Sequence, residues 1–322
     1  MACVLYIVIP CYREEEALPE TARCLKEKMA AYLAAGRISP LSRVLFVNDG
    51  STDRTWEVIK NLYESDPLFA GVNLAHNKGH QNALLAGLLT AANEADVMVS
   101  MDADLQDDIN AMDDMLARYE EGYDIVYGVR RKRETDTAFK RMTAEGFYHL
   151  MRVLGVEIVF NHADYRLMSR RAVQALAEYT EVNLFLRGIV PQLGFRWTTV
   201  EYDRSARVAG ESKYPLKKML AFAADGVTSF SIKPIRLVLW SGALVFLVSI
   251  LMLIYTLARK FLGLTESGWS SLMCSIWMIG GVQLLSIGVI GEYIGKVYAE
   301  TKRRPRFIIE SVLNRRDTKG NE

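Results

Sequence analysis

The chain has 322 residues, of which 50% are hydrophobic and 24% charged, and its formal net charge is +1. A balance so near neutrality gives no global field for nucleic acid. The four cysteines show no CxxC spacing, which excludes a disulfide framework or a zinc ribbon and fits a reducing compartment.

The opening MACVLYIVIP has no basic leader and no small-residue cleavage site, so residues 4–10 are expected to form a buried first strand rather than a signal peptide. Strand-like runs follow at 43–49, 71–76, 96–102 and 124–129, with helical patterns at 15–35, 53–65, 79–93 and 109–121. Strands alternating with helices predict an α/β domain with a mostly parallel, Rossmann-like sheet. Ligands of such sheets bind beyond the carboxyl ends of the strands. Polar residues gather at those ends, in PCYREEE, NDGSTD, HNKGHQ and DADLQDD.

Local turn chemistry accounts for part of this. In NDGSTD, Gly50 permits a tight turn and Ser51 or Thr52 can cap the next helix, but neither role requires Asp49. NKGHQNALLAG also reads as an ordinary helix start, with Gly87 allowing close packing. A helix boundary falls between His76 and His80, which argues against a metal site there. DADLQDD is harder to explain structurally. Asp102 and Asp104 point the same way if the strand persists, and Mg2+ or Mn2+ takes oxygen ligands of this kind while leaving one side open to phosphates. Asp107 and Asp108 are expected past the turn, at a helix start where carboxylates favour the dipole.

The segment 216–230 has apolar residues at helical spacing, as in a helix lying in the membrane interface or packed on the soluble domain. Leu237 to Ala258 and Ser267 to Gly291 carry no charge. A helix of the first length covers about 33 Å, enough for a hydrocarbon core. Lys233 and Arg236 flank the first run, and Lys296, Lys302, Arg303, Arg304 and Arg306 follow the second. Positive residues on those flanks place the large N-terminal region and both termini in the cytoplasm. The expected divisions are a catalytic domain at 1–210, an amphipathic juxtamembrane segment at 211–234, spans at 235–258 and 267–292, and a basic tail at 293–322.

VIPCYREEEALP, VNDGSTDRTW, NKGHQNALLAG, MDADLQDD, ADYRLMSRRA and RVAGESKY together resemble the successive motifs of family 2 glycosyltransferases with the GT-A fold. The closing GVIGEYIGKVYAETKRRPRF is similar to the polyprenyl-phosphate glycosyltransferases, which include bactoprenol glucosyltransferases and dolichol-phosphate mannose synthases. The resemblance covers nearly the whole chain. It implies inverting transfer of a sugar from a nucleotide sugar, with UDP-glucose and UDP-N-acetylglucosamine the leading donors and UDP-galactose or a GDP-sugar the alternatives, to undecaprenyl or another polyprenyl phosphate at the cytoplasmic face of the cell membrane. It also implies a homo-oligomer, such as a tetramer.

On this sequence the resemblance puts Pro10, Tyr12, Glu14 and Asp49 at the nucleotide. It puts Asp102 and Asp104 at a divalent metal, with Ala103 and Gln106 beside them, and counts Asp104 among the catalytic residues. Asp164 corresponds to the carboxylate usually proposed as catalytic base, although a dianionic phosphate nucleophile needs little base and Asp164 can instead orient the sugar or an arginine. Arg204 or Arg207, with Ser212 and Lys213, correspond to a loop near the donor and acceptor phosphates. An anionic lipid head needs cations, and GVRRKRE with the amphipathic stretch after it offers Arg130 and Arg141 as acceptor-phosphate ligands; a solvated charge run is the alternative. One position departs from the pattern: Asn48 stands where many relatives have Asp.

Two other functions are weighed. A processive polysaccharide synthase usually carries QxxRW and more spans, whereas Gln192 lies four residues before Arg196 here. A non-enzymatic scaffold would not need the intact DxD, Asp164 and GESK segment.

Overall fold

The computed structural model describes residues 2–131, 162–182, 184–203, 233–261 and 268–314. In chain order the elements are β1 (Leu5–Cys11), α1 (Leu18–Ala34), β2 (Arg43–Asn48), α2 (Thr55–Ser65), β3 (Phe69–Leu74), α3 (His80–Ala91), β4 (Val97–Ser100), α4 (Ala111–Glu120), β5 (Ile125–Arg130), β6 (His162–Ser169), α5 (Arg170–Ala177), α6 (Leu186–Gln192), β7 (Trp197–Tyr202), α7 (Lys233–Phe261), α8 (Trp269–Thr301) and β8 (Ile309–Leu313). Two compact units result, one containing β1 to β7 together with β8, the other α7 and α8.

The first unit is an eight-stranded sheet in the order β7-β5-β6-β4-β1-β2-β3-β8. β1 pairs parallel with β2 and β4, β2 with β3, and β5 with β7. β6 runs antiparallel to both β4 and β5, and β8 antiparallel to β3. Side-chain alternation decides which layer each strand residue meets. Leu5, Ile7 and Ile9 on β1, Val44 and Phe46 on β2, and Val97 and Val99 on β4 share a core with residues of α1, α2 and α4. Val8 and Val47 face α3, where a Cβ on Gly87 would lie 2.4 Å from Val8 and 2.6 Å from Val47. Helices therefore cover both faces, and the central strands are apolar except near their ends, at Arg43, Asn48 and Ser100.

The structure differs from the sequence expectation in several places. β3 starts at Phe69, two residues earlier than expected, because the Asp66 carboxylate accepts from Leu68 N and turns the chain directly into the strand. β4 ends at Ser100, so strand alternation does not align Asp102 and Asp104. Past it, Leu105 adopts a left-handed φ of 52° and Gln106 N donates to Asp104 Oδ1, which turns the chain away from the sheet. β6 and β7 were not expected as strands. The segment read as a basic tail from 293 is also different: α8 continues to Thr301, and Ile309–Leu313 is the edge strand β8.

In the second unit α7 and α8 pack against each other. Among the described residues one segment, Met278–Thr301 of α8, is long and apolar enough to cross a membrane; its mean hydropathy is 1.4 and none of it is buried. Trp240 on α7 is 72% exposed. The expected amphipathic segments at 139–154 and 211–232 lie outside the described residues.

Candidate active site

The parallel strands β1, β2 and β4 send their following loops to one edge of the sheet. β6 arrives there in the opposite sense. Because Ser100 at the end of β4 pairs with Arg166, the amino end of β6 brings Asp164 to the loop that follows β4. Ser100 Oγ donates to the carbonyls of Asp164 and Arg166, at 2.5 and 3.2 Å, and fixes that junction.

The first half of the site is a stitched pair of loops. Pro10 is a buried residue of β1. Tyr12 is 42% exposed, with the Arg13 guanidinium 5.3 Å from its ring centroid. Arg13 N donates to Ser51 Oγ at 3.1 Å and Glu14 N to Thr55 Oγ1 at 3.0 Å, so the loops after β1 and β2 hold each other. Asp49 is buried, and its two carboxylate oxygens accept from the backbone N–H groups of Lys78 and Gly79, at 2.7 and 2.9 Å. Burial pushes the Asp49 carboxyl up, against the pull of these two hydrogen bonds. Gly50 must be glycine: its φ is +59° and a Cβ would lie 2.5 Å from Asn77 N.

The second half is the acidic loop from Met101 to Asn110. Thr21 Oγ1 donates to Ala103 O at 2.7 Å and ties the loop to α1. Gln106 is nearly buried. Asp102 lies 3.7 Å from His80 Nε2 at the start of α3, and the same nitrogen is 3.7 Å from Asp164. Burial pushes the Asp102 carboxyl above the usual range; His80 opposes this, while Asp107, Asp164 and Asp104 add to it. Asp107 is not at a helix start. It is 3% exposed, accepts from Tyr202 Oη at 2.6 Å and lies 3.8 Å from Arg130. α4 begins only at Ala111, because Asp108 Oδ1 accepts from Asn110 N and holds the turn before it. Tyr165 Oη donates to the Asp108 carbonyl, and the rings of Tyr165 and Tyr202 meet edge-on at 5.2 Å.

Asp164 is clamped by two arginines. Arg187 Nε and Nη2 donate to its two oxygens at 3.2 and 3.0 Å, and Arg166 Nη2 donates at 3.3 Å. Burial works to raise this carboxyl, but the two guanidiniums outweigh it and hold Asp164 well below the usual carboxylate range. Arg166 is 1% exposed, and its Nε and Nη1 have no hydrogen-bond partner among the described residues. Asp164 is thus the counter-charge that makes its burial tolerable.

Residues 6–177 match the family model for glycosyl transferase family 2, and residues 233–297 match the GtrB C-terminal hairpin. The chain belongs to glycosyltransferase family 2. An uncharacterized glycosyltransferase of Bacillus subtilis (strain 168), YkoT, is 52% identical over 307 residues, covering 95% of this chain and 91% of the relative. A bactoprenol glucosyl transferase of Shigella phage SfV is 39% identical over 311 residues, covering 95% of this chain and 97% of its own length. The prophage bactoprenol glucosyl transferase homolog of Escherichia coli (strain K12) is 37% identical over 310 residues, with 95% and 98% covered.

The GT-A fold of this glycosyltransferase thus brings Tyr12, Asp49, Asp102 and Asp104 on loops and Asp164 on β6 to the carboxyl ends of the parallel strands, together with Arg130, whose Nε donates to Tyr202 Oη at 3.3 Å. Glu14 turns its backbone to Thr55 and opens α1 through its carbonyl, which accepts from Leu18 N. Arg141, Arg204, Arg207, Ser212 and Lys213 lie outside the described residues. Sequence reasoning missed Arg166, Arg187, Asp107 and Tyr202. The only signal for Asp107 was its place in the acidic run, and Arg187 in LFLRG gave none.

Proposed function

We propose that this glycosyltransferase moves a sugar from UDP-glucose or UDP-N-acetylglucosamine to undecaprenyl phosphate at the cytoplasmic membrane face, inverting the anomeric centre. The observation that carries the proposal is the cluster of Asp102, Asp104 and the arginine-clamped Asp164 at the carboxyl ends of the sheet. The names of the bactoprenol relatives, which match over almost their full lengths, support the acceptor.

Asp102 and Asp104 fit a divalent cation. Burial first, and then the neighbouring Asp107, Asp164 and Asp104, makes the ionised Asp102 costly, and a cation would relieve that cost. Among the described residues no group of three or more His, Cys, Asp and Glu forms a complete cage, and Mg2+ commonly binds through one or two carboxylates plus substrate phosphates. Held by Asp102 and Asp104, Mg2+ or Mn2+ would supply charge neutralisation for the departing nucleotide diphosphate. Tyr12, Asp49 and the loop carrying Gln106 orient the nucleotide. Asp164 is a weak base when two guanidiniums hold it ionised, and an acceptor phosphate with its second pKa near 6 needs no strong base. Asp164 therefore fixes Arg187 and the donor sugar, and Arg130 meets the acceptor phosphate.

Topology supports the membrane placement. β8 follows α8 in sequence and pairs with β3, so the chain returns to the sheet after α7 and α8. That return of the chain supports a hairpin in which α7 crosses beside α8. The basic flanks of the two apolar runs support a cytoplasmic position for the sheet and both termini.

The test uses the full chain in membranes with labelled nucleotide sugars and undecaprenyl phosphate. A single monoglycosylated lipid, lost on adding EDTA and restored by Mg2+ or Mn2+, is expected. A polymeric product, or no transfer from any donor, would refute the proposal.

A further inference from the structure

The edge strand β8 is joined to the loops after β1 and β2 by a line of hydrogen bonds, two between side chains and two from backbone N–H groups to side chains. Glu310 Oε2 accepts from Asn73 Nδ2 at 2.6 Å, and Asn73 Oδ1 accepts from Asn48 Nδ2 at 2.6 Å. Asn48 Oδ1 then accepts from Ser51 N at 3.3 Å, and Ser51 Oγ from Arg13 N at 3.1 Å. The line starts in the last strand of the chain and ends between Tyr12 and Glu14, passing on either side of Asp49. Asn48 and Asn73 are 2% and 9% exposed, so each amide depends on this partnership to satisfy its polar atoms.

The backbone is built to supply the first link. Asn73 pairs with Ser311 and Leu74 with Ile309, so Glu310 is the extra residue of a β-bulge. Bulges of this kind re-aim a side chain out of regular alternation, and here the re-aimed group is the carboxylate that meets Asn73. The relay also explains the departure at position 48. Asparagine offers a donor to Asn73 and an acceptor to Ser51 at once, whereas an ionised aspartate offers only acceptors.

We infer that Glu310 is a positioning residue for the donor: through Asn73 and Asn48 it holds the Asn48–Ser51 turn and the Tyr12–Glu14 loop in the geometry that binds the nucleotide. This rests on the proposed nucleotide-sugar reading. The terminal strand is therefore part of the donor site although it touches no donor atom.

Two readouts on the full-length enzyme in membranes test it, one of which needs no donor. In Glu310→Ala, amide hydrogen exchange in the 12–14 and 48–52 segments rises while that of β1 and β4 does not. The donor KM rises about three- to tenfold, with kcat and the acceptor KM within about twofold of wild type. Glu310→Gln, which keeps an acceptor oxygen, restores the donor KM to within about twofold. Asn314→Ala serves as the control, since it removes the anchor from Asn314 to Glu94 near the same strand without touching the relay. It should leave the donor KM unchanged.

Unchanged exchange in Glu310→Ala overturns the relay. Raised exchange with an unchanged donor KM, in an enzyme that Asp102→Asn inactivates, overturns the positioning role and leaves the proposed reaction standing. An equal KM rise in Asn314→Ala overturns it too, by showing a general edge effect. A wild-type enzyme that uses no nucleotide sugar sinks the functional reading, and the exchange result still decides the relay.

Discussion

The two halves of the sheet place their chemistry differently. In β3-β2-β1-β4 the strands are buried and mostly apolar, with Asn48 and Asn73 the polar pair of the relay, and the residues proposed to meet substrate wait on the loops beyond them, at Tyr12, Asp49, Asp102 and Asp104. In β6-β5-β7 the polar residues sit inside or at the last position of the strands: Asp164 and Arg166 on β6, Arg130 on β5, Tyr202 on β7. The first arrangement separates folding from function, so a loop residue can change without disturbing the core. The second merges them, since Arg166 is a fully buried core residue and the ion-pair partner of Asp164 at once. Substitutions in the first half should cost activity, and those in the second half stability as well.

The largest effect is expected at the loop pair. Asp102→Asn or Asp104→Asn lowers transfer by about 10³-fold with the melting temperature within a few degrees of wild type; a matching loss of stability would erase the distinction between the halves. Arg166→Met comes next. It withdraws one of the two cations beside a buried carboxylate and should cost about 3 kcal/mol in urea unfolding, as well as activity. Asp107→Asn is smaller and sharpens the border between the halves. The amide still accepts from Tyr202 but loses the charge facing Arg130, and kcat/KM should fall about tenfold, which is ~1.4 kcal/mol. Asp108→Asn should stay within about twofold, and equality with Asp107 would show that the burial of Asp107, against the half-buried Asp108, does not matter.

The smallest expected effect is on pH dependence. Burial raises the Asp124 carboxyl on β5's approach, but hydrogen bonds from Arg171 and Ser169 hold it below the usual carboxylate range. A depressed folded-state value adds stability above about pH 4, the unfolded value, and loses it as pH falls through the folded one. The melting-point gap between wild type and Asp124→Asn should therefore be full at pH 6 and shrink toward pH 3. A gap independent of pH would mean that the carboxylate's charge contributes nothing.

The same division explains what could be read from the sequence. β1, β2 and β4 are visible as apolar runs because both their faces are covered. The DxD loop is visible because nothing structural demands those carboxylates. HADYRLMS hides β6, since an aspartate and an arginine break the apolar pattern that a buried strand normally shows. Trp197–Tyr202 hides β7 as an edge strand with exposed alternate residues. Asp107 was assigned to the helix dipole because its partners, Tyr202 and Arg130, are distant in sequence. Long-range pairing of that kind leaves no local periodicity to find.

β8 has a consequence for how the molecule is made. A ribosome adding about 5–20 residues per second needs on the order of tens of seconds to pass from β3 to β8. Throughout that interval the outer edge of β3 exposes unpaired N–H and C=O groups, a template for aggregation. The closing strand emerges only after both long apolar helices have been synthesised. The sheet's outer edge is thus closed only by residues made after both long helices, which ties completion of the sheet to completion of the whole chain through β8.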